Sequence, residues 1–269
     1  MALKPWLLPV SAGLALAAAN LGPDLLLAAK KGQTAEVRKL LDRKAPVNAR
    51  DRDGRTPLML AAEHARADTV TLLLSRRADA AARHKQGWTA WGLALFSSGP
   101  GRKQVLEALP APRHWKLALR VETSPENLYS SCSMPPRQLA QFIAAMHLEQ
   151  AVAEAIHQAS TTPAEAPVTL VAADATDADA VAAVTVRPQV SCVQQEASDN
   201  LSLAIDLKLT ASGSSEPLLE KTFGGGLKGL HARRAAGPSQ YQPVLLEWAK
   251  GHTSPIWQAM VSALIRANS

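Results

Sequence analysis

The sequence predicts two folds in tandem: an α-helical repeat solenoid of about three helix pairs, then an α+β domain with an antiparallel sheet. Three observations carry this. The first part of the chain matches itself at a shift of 33 residues, the mark of stacked supersecondary units. After ALPAPRHWK, from Ala108, helical periodicity gives way to apolar–polar alternation. Charge divides at the same place. Residues 1–113 hold 18 Lys/Arg against 9 Asp/Glu, and residues 114–269 hold 11 against 14, as two domains of opposite sign would. With only eleven aromatics in 269 residues, the interior is built from Ala, Leu and Val, which suits helices packed closely through small side chains.

The chain opens on MALKPWLLPVSAGLALAAANLGPD. Lys4, an apolar run from Trp6 to Ala19 and the small residues Ala17-Ala18-Ala19 read as a secretory signal peptide over residues 1–19, cut to leave Asn20 first. The competing reading is a first helix of the fold. The run is shorter than the ~20 residues that span a bilayer. Export sets the expected localisation as periplasmic or secreted. In such a compartment the two cysteines, Cys132 and Cys192, are expected to form a disulfide. The bond would close a loop of about 60 residues and contribute on the order of 4 kcal/mol. If the protein is not exported, two buried thiols become the better reading.

The repeat is clearest in DGRTPLMLAAEHARADTVTLLLSRRADA, residues 53–80. At the 33-residue shift Ala28-Ala29 falls on Ala61-Ala62, Val37 on Val70, Leu40-Leu41 on Leu73-Leu74, Gly54 on Gly87 and Thr56 on Thr89. Gly54 supplies a tight turn, Thr56 caps a helix, and Pro57 suits the first helical position because no amide is lost there. The paired alanines let helices approach, and Val70, Leu73 and Leu74 seal the second helix. No single unit buries enough surface, so stability comes from stacking.

This pattern resembles the ankyrin repeat, over residues 24–110, with one nearly complete unit, one entered at its first helix and one degraded closing unit. The complete unit departs at Met59, where the family prefers His, at Ala65 and Arg77, where it prefers Gly, and at Ala81, where it prefers Asn. The third has Ala90-Trp91 in place of Pro-Leu and gains about two residues around Ser97-Ser98-Gly99-Pro100. The resemblance implies that partners are held by the hairpin tips and the exposed side of each first helix. Of fifteen such positions nine are Lys or Arg, and two, Asp53 and Glu63, are acidic. Phe96 is another of the fifteen positions; the expected partner-binding residues are Arg50, Arg52, Arg55, His64, Arg83, Lys85 and Trp88, and the expected partner is an acidic protein. Anionic lipid or polysaccharide is a lesser alternative. Nucleic acid is disfavoured, because the basic positions are not interleaved with several stacking aromatics.

Residues 114–269 read as the α+β domain. KLALRVET alternates as a strand, and RQLAQFIAAMHLEQAVAEAIHQAS reads as an amphipathic helix from Pro136 to Gln158. VTLVAAD, AVTVRPQVSCVQQ, NLSLAIDLKLT and PLLEKTF follow as strands. Leu201, Leu203, Ile205, Leu207 and Leu209 define one buried face, and ASGSSEP turns into an antiparallel partner. GGGLKGLHARRAAGPSQ reads as a loop, and lacks the Lys-Ser or Lys-Thr spacing of a phosphate cradle. Two closing helices, Gln242 to Lys250 and Ser254 to Ala267, turn Trp248, Trp257, Met260 and Leu264 inward.

No reactive motif stands out: there is no His-Glu-x-x-His, Gly-x-Ser-x-Gly or Cys-x-x-Cys. Asp174, Asp177 and Asp179 lack the Gly and distal Glu of a calcium loop. The expectation is therefore a non-enzyme with no catalytic residues, cofactor or metal, acting as an adaptor or as an inhibitor or immunity protein. The alternative is an envelope enzyme, or a carrier of anionic lipid, with its site in the C-terminal domain.

Overall fold

The structure is a computed structural model that describes residues 21–124, 129–130, 137, 141, 144–161, 163–193, 198–226, 232–233 and 242–267. The chain divides into two compact units, the first running to Pro112 and the second starting at Arg113. The expected signal peptide (1–19) and Cys132 lie outside the described residues. Cys192 is described by its backbone, in a strand opposite Asp199, and its side chain lies outside. Among the described residues no helix is long and apolar enough to cross a membrane.

The first unit is three helix pairs: α1 (Gly22–Lys31) with α2 (Thr34–Asp42), α3 (Pro57–Glu63) with α4 (Ala67–Ser75), and α5 (Ala90–Leu95) with α6 (Arg102–Ala108). Thr56 accepts the Met59 N–H at 3.3 Å, and 33 residues on Thr89 accepts the Gly92 N–H at 3.4 Å, so two first helices share one cap. Met59, where the family prefers His, turns its Sδ back to accept the Thr56 N–H at 3.4 Å. Positive backbone φ recurs with the same period at Gly32 and Ala65, Lys44 and Arg77, and Gly54 and Gly87. The left-handed turn thus persists at Ala65 and Arg77 without the glycine that adopts it most cheaply.

The units interlock through polar contacts as well as through their buried leucines. The Thr34 and Thr69 hydroxyls lie 2.9 Å apart, the Arg76 guanidinium meets Asp42 at 2.8 Å, and the Asn48 side chain accepts the Asp79 N–H at 2.9 Å. Leu25, Val37, Leu58, Val70, Leu73, Leu95 and Val105 are fully buried, each contributing about 2 kcal/mol. The extra residues of the closing unit lie against the Ala65 turn. A Cβ on Gly99 would stand 2.5 Å from the Ala65 Cβ, and one on Gly101 2.4 Å from the Ala65 carbonyl oxygen. The insertion therefore needs both glycines.

The second unit is a mixed sheet backed by two helices. Its elements are β1 (Trp115–Thr123), β2 (Tyr129–Ser130), α7 (Leu148–Ala159), β3 (Val168–Val171), β4 (Ala180–Val193), β5 (Ser198–Ala211), β6 (Pro217–Gly226), β7 (Ala232–Arg233) and α8 (Gln242–Ala267). The strand order is β3-β1-β4-β5-β6, with β2 beside β4 and β7 beside β5. The expected antiparallel pairing holds for β4–β5–β6, whereas β1 runs parallel to both β3 and β4. The reason is the connection: α7 lies between β1 and β3 in the chain, and a helical crossover returns the chain parallel to the strand it left.

Val184, Val186, Leu203, Ile205, Leu207 and Leu209 form the buried face, which matches the alternation expected for β5 from Leu203 on; the Leu201 side chain lies outside the described residues. On the other face Arg187 pairs with Asp206, which also accepts from the Thr222 hydroxyl at 2.6 Å. Three expectations need correction. The helix expected from Pro136 is interrupted at His147, which is left-handed (φ 50°), so α7 starts at Leu148. The first three residues of the Gly-rich loop are strand, Gly224 to Gly226 pairing with Ala204, Leu203 and Ser202. The two closing helices are one, α8, with Pro255 inside it. A helical proline costs about 3 kcal/mol. Burial of Ile256, Trp257, Met260, Val261 and Leu264 beyond it outweighs that cost, and the Thr253 hydroxyl donates to the Ala155 carbonyl of α7 at 3.3 Å.

The acidic loop before β4 is a pinned turn. Asp177 meets Lys116 at 2.6 Å, while Asp179 pairs with Arg113 and accepts the Lys116 N–H at 2.8 Å.

Candidate functional site

The hairpin tips of the first unit are copies of one turn. Asp51 N–H donates to the Arg55 carbonyl and Gly54 N–H to the Asp51 carbonyl, both at 3.0 Å; His84 with Trp88 and Gly87 with His84 repeat this at 3.2 and 2.9 Å. Side chains reinforce it. Asp51 Oδ1 accepts the Asp53 N–H at 2.9 Å, and His84 Nδ1 accepts the Gln86 N–H at 2.8 Å. Lys85 N–H donates to the Asp53 carbonyl at 3.0 Å, and Arg50 Nη1 donates to the carbonyls of Arg83 at 2.7 Å and Gly54 at 3.0 Å. The tips are thereby stitched into one edge.

Against this edge lies a cleft of about 370 Å³ lined by Asp53, Arg55, Glu63, His84, Lys85, Gln86, Trp88 and Leu93. A second, of about 250 Å³, adjoins it and is lined by Glu63, Trp88, Gly92, Leu93, Phe96 and Ser97. The Trp88 and Phe96 rings meet edge to face, with centroids 5.7 Å apart and planes at 85°, a favoured aromatic geometry.

Of the expected residues, the fold brings Arg55, Lys85 and Trp88 into the first cleft. Arg50, Arg52 and Lys85 are exposed and Arg83 is half-buried. Arg83 donates to the Gly87 carbonyl at 3.3 Å. His64 caps α3, its Nδ1 lying 3.1 Å from the Leu60 carbonyl, and does not line either cleft.

Arg55 holds a more particular position than a count of charges shows. Its Nε contacts Asp51 at 2.9 Å, its Nη2 Asp53 at 3.2 Å and its Nη1 Glu63 at 3.4 Å. Burial raises the pKa of Asp51, but hydrogen bonds and attraction from Arg55, with the Asp53 amide, outweigh it and hold the carboxyl below its ordinary value. Burial likewise lowers Arg55, and the three carboxylates more than compensate, leaving it raised. Asp51 and His84 were not among the residues the sequence marked. The signal was available, because the 33-residue shift places His84 on Asp51.

His84 is the titrating member of this edge. Burial first, then the Arg55 charge, hold its pKa below 6.5, against weaker opposing attraction from Glu63, Asp51 and Asp53. An unfolded chain therefore takes up this proton before the folded one. The contribution to stability is complete above about pH 6.5 and is lost as pH falls toward the folded value. Protonation at Nδ1 would also remove the acceptor of the Gln86 N–H. His84→Asn, which keeps an acceptor and cannot titrate, is expected to flatten the dependence of Tm on pH between 7 and 5. Thermal unfolding across that range checks this; an unchanged slope would place the titration elsewhere.

Stacked two-helix units, with a cleft beneath their joined tips, define a helical-repeat module in the first unit. Residues 25–111 match the family model for ankyrin repeats, in three copies, and this segment is an ankyrin-repeat module of the kind that mediates protein–protein interaction. No curated protein matches the chain. Among the described residues no group of three or more His, Cys, Asp or Glu is placed to hold a metal ion.

Proposed function

We propose that the chain is an exported, non-catalytic binding protein, periplasmic or secreted, that holds an acidic protein partner against its ankyrin edge as an adaptor or as an inhibitor or immunity protein. The observation that carries this is the exposure of Arg50, Arg52 and Lys85 along the stitched tips, directly beside a cleft that contains Trp88. Basic groups at a rim steer an acidic partner, and an aromatic within it anchors. Arg55 is spent on its own carboxylates, so it positions the edge rather than supplying its charge. In this reading the leader ends at Ala19 and Cys132 is bonded to Cys192.

The test is affinity capture from the source cell with the full chain and with Arg52→Glu combined with Lys85→Glu. The wild type is expected to retain an acidic protein that the variant loses, with retention falling as salt rises. The captured bait, sequenced from its N-terminus, is expected to start at Asn20. Identical recovery by both forms would remove the basic edge from the interaction.

A further inference from the structure

The corner where the two clefts meet has a chemistry opposite to that of the rim. Glu63, Trp88 and Leu93 belong to both clefts. Glu63 is half-buried, and its contact with Arg55 is a long one of 3.4 Å. A carboxylate has about four acceptor sites, so one long contact leaves most of that capacity unused. Behind it three carboxylates share the one guanidinium of Arg55, and with Lys85 also lining the first cleft one negative charge is left over. In front stand Trp88 and Phe96, edge to face, and Phe96 is exposed for so large an apolar side chain. Aromatic faces carry negative potential and attract a cation within about 6 Å of the centroid.

We infer that this corner receives one basic side chain, a lysine or arginine, from the partner. Its aliphatic stem would lie along Leu93 and Phe96, and its charged head between the Trp88 ring and Glu63. The inference rests on the reading that the ankyrin edge holds a protein, and sharpens it: an acidic surface docks on the tips and presents a single cationic anchor. An acidic side chain here would meet Glu63 at close quarters, and a purely aliphatic one would dehydrate that carboxylate without replacing its hydration. A cation satisfies both the ring and the carboxylate.

The test needs no partner. The full chain, ¹⁵N-labelled, is titrated with Nα-acetyl-arginine amide, Nα-acetyl-lysine amide, the uncharged Nα-acetyl-norleucine amide and the acidic Nα-acetyl-glutamate amide at equal ionic strength. The two basic probes are expected to move the Trp88 indole and Gly92 amide signals saturably at roughly millimolar concentration, with the other two at least about tenfold weaker. Glu63→Gln is expected to weaken the basic probes about fivefold or more, and Phe96→Leu to weaken them while leaving the remaining amide signals in place. Should Glu63→Gln disturb the fold, Phe96→Leu and the probe series still decide. Norleucine binding as well as arginine, the absence of any saturable shift, or basic-probe affinity unchanged in a folded Glu63→Gln would each overturn the inference. Capture unaffected by reversing Arg52 and Lys85 would refute the partner reading and leave the probe titration standing. Absence of probe binding would leave the capture result standing.

Discussion

Gly99→Ala is expected to destabilise the protein by about 2 kcal/mol, and to cost little or nothing once Ala65 has become glycine. The two positions press on each other, since a Cβ at residue 99 would lie 2.5 Å from the Ala65 Cβ. Neither atom is the end of a flexible chain that could swing aside. With that methyl removed, the next neighbours of the new Cβ are the His64 carbonyl oxygen at 3.4 Å and the Ala65 Cα at 3.7 Å, ordinary contacts. Ala65→Gly alone is expected to change stability by less than about 1 kcal/mol. It relieves a left-handed alanine (φ 53°) worth about 1–2 kcal/mol, but it loses a buried methyl worth about 0.8 kcal/mol. The cycle of single and double variants, read by urea unfolding with amide exchange over residues 57–108, should give a coupling of about 2 kcal/mol. Additive effects would mean that the closing unit does not sit on the turn of the unit before it.

Arg55→Met is expected to lower stability by about 2 kcal/mol at pH 7, between what an exposed pair and a buried pair contribute. The backbone turn survives, because the residue-55 and Asp53 amides still donate to Asp51 at 2.8 and 2.9 Å. What remains is mutual repulsion of Asp51, Asp53 and Glu63 without the guanidinium that bridges all three, Lys85 being the cation left in the cleft. Two further measurements separate this from loss of packing. Adding Asp51→Asn should recover part of the deficit. The deficit should also shrink in acid. The Asp51 carboxyl is depressed below 3.8 in the folded chain, so its contribution is present above about pH 4 and disappears as pH falls through the folded value. A deficit that stays constant down to pH 3 would show that the methylene stem of Arg55, not its charge, does the stabilising.

How far the sequence discloses this molecule differs between its two units, and for a physical reason. The repeat is written locally: Gly54 and Gly87, or Thr56 and Thr89, are each read within one turn and compared at a fixed shift. The ankyrin departures at Ala65 and Arg77 even mark the places where the backbone stays left-handed against preference. The carboxylates around Arg55 were not legible in the same way. Their residues lie two, four and eight positions away, and only the closed turn brings them onto one guanidinium. A tally of charges along a face cannot register that Arg55 is already matched. In the second unit alternation exposed β5 and its hairpin with β6, because those partners follow one another. The direction of β1 was hidden, since its neighbours β3 and β4 come after a helix and the choice depends on the crossover. The break expected between Lys250 and Ser254 is absent for the opposite reason: apolar burial further along α8 carries one helix through Pro255.

One consequence of α8 concerns synthesis. The ankyrin module closes by contacts between neighbours in the chain, and each helix pair can settle on the pair before it as it emerges. The sheet has no such freedom, because α8, which packs on α7 and β6, comes later in the chain than every strand. Until it arrives, the faces of α7 and β6 on which it packs lack that cover, and the half-made domain is the species a chaperone would have to shelter.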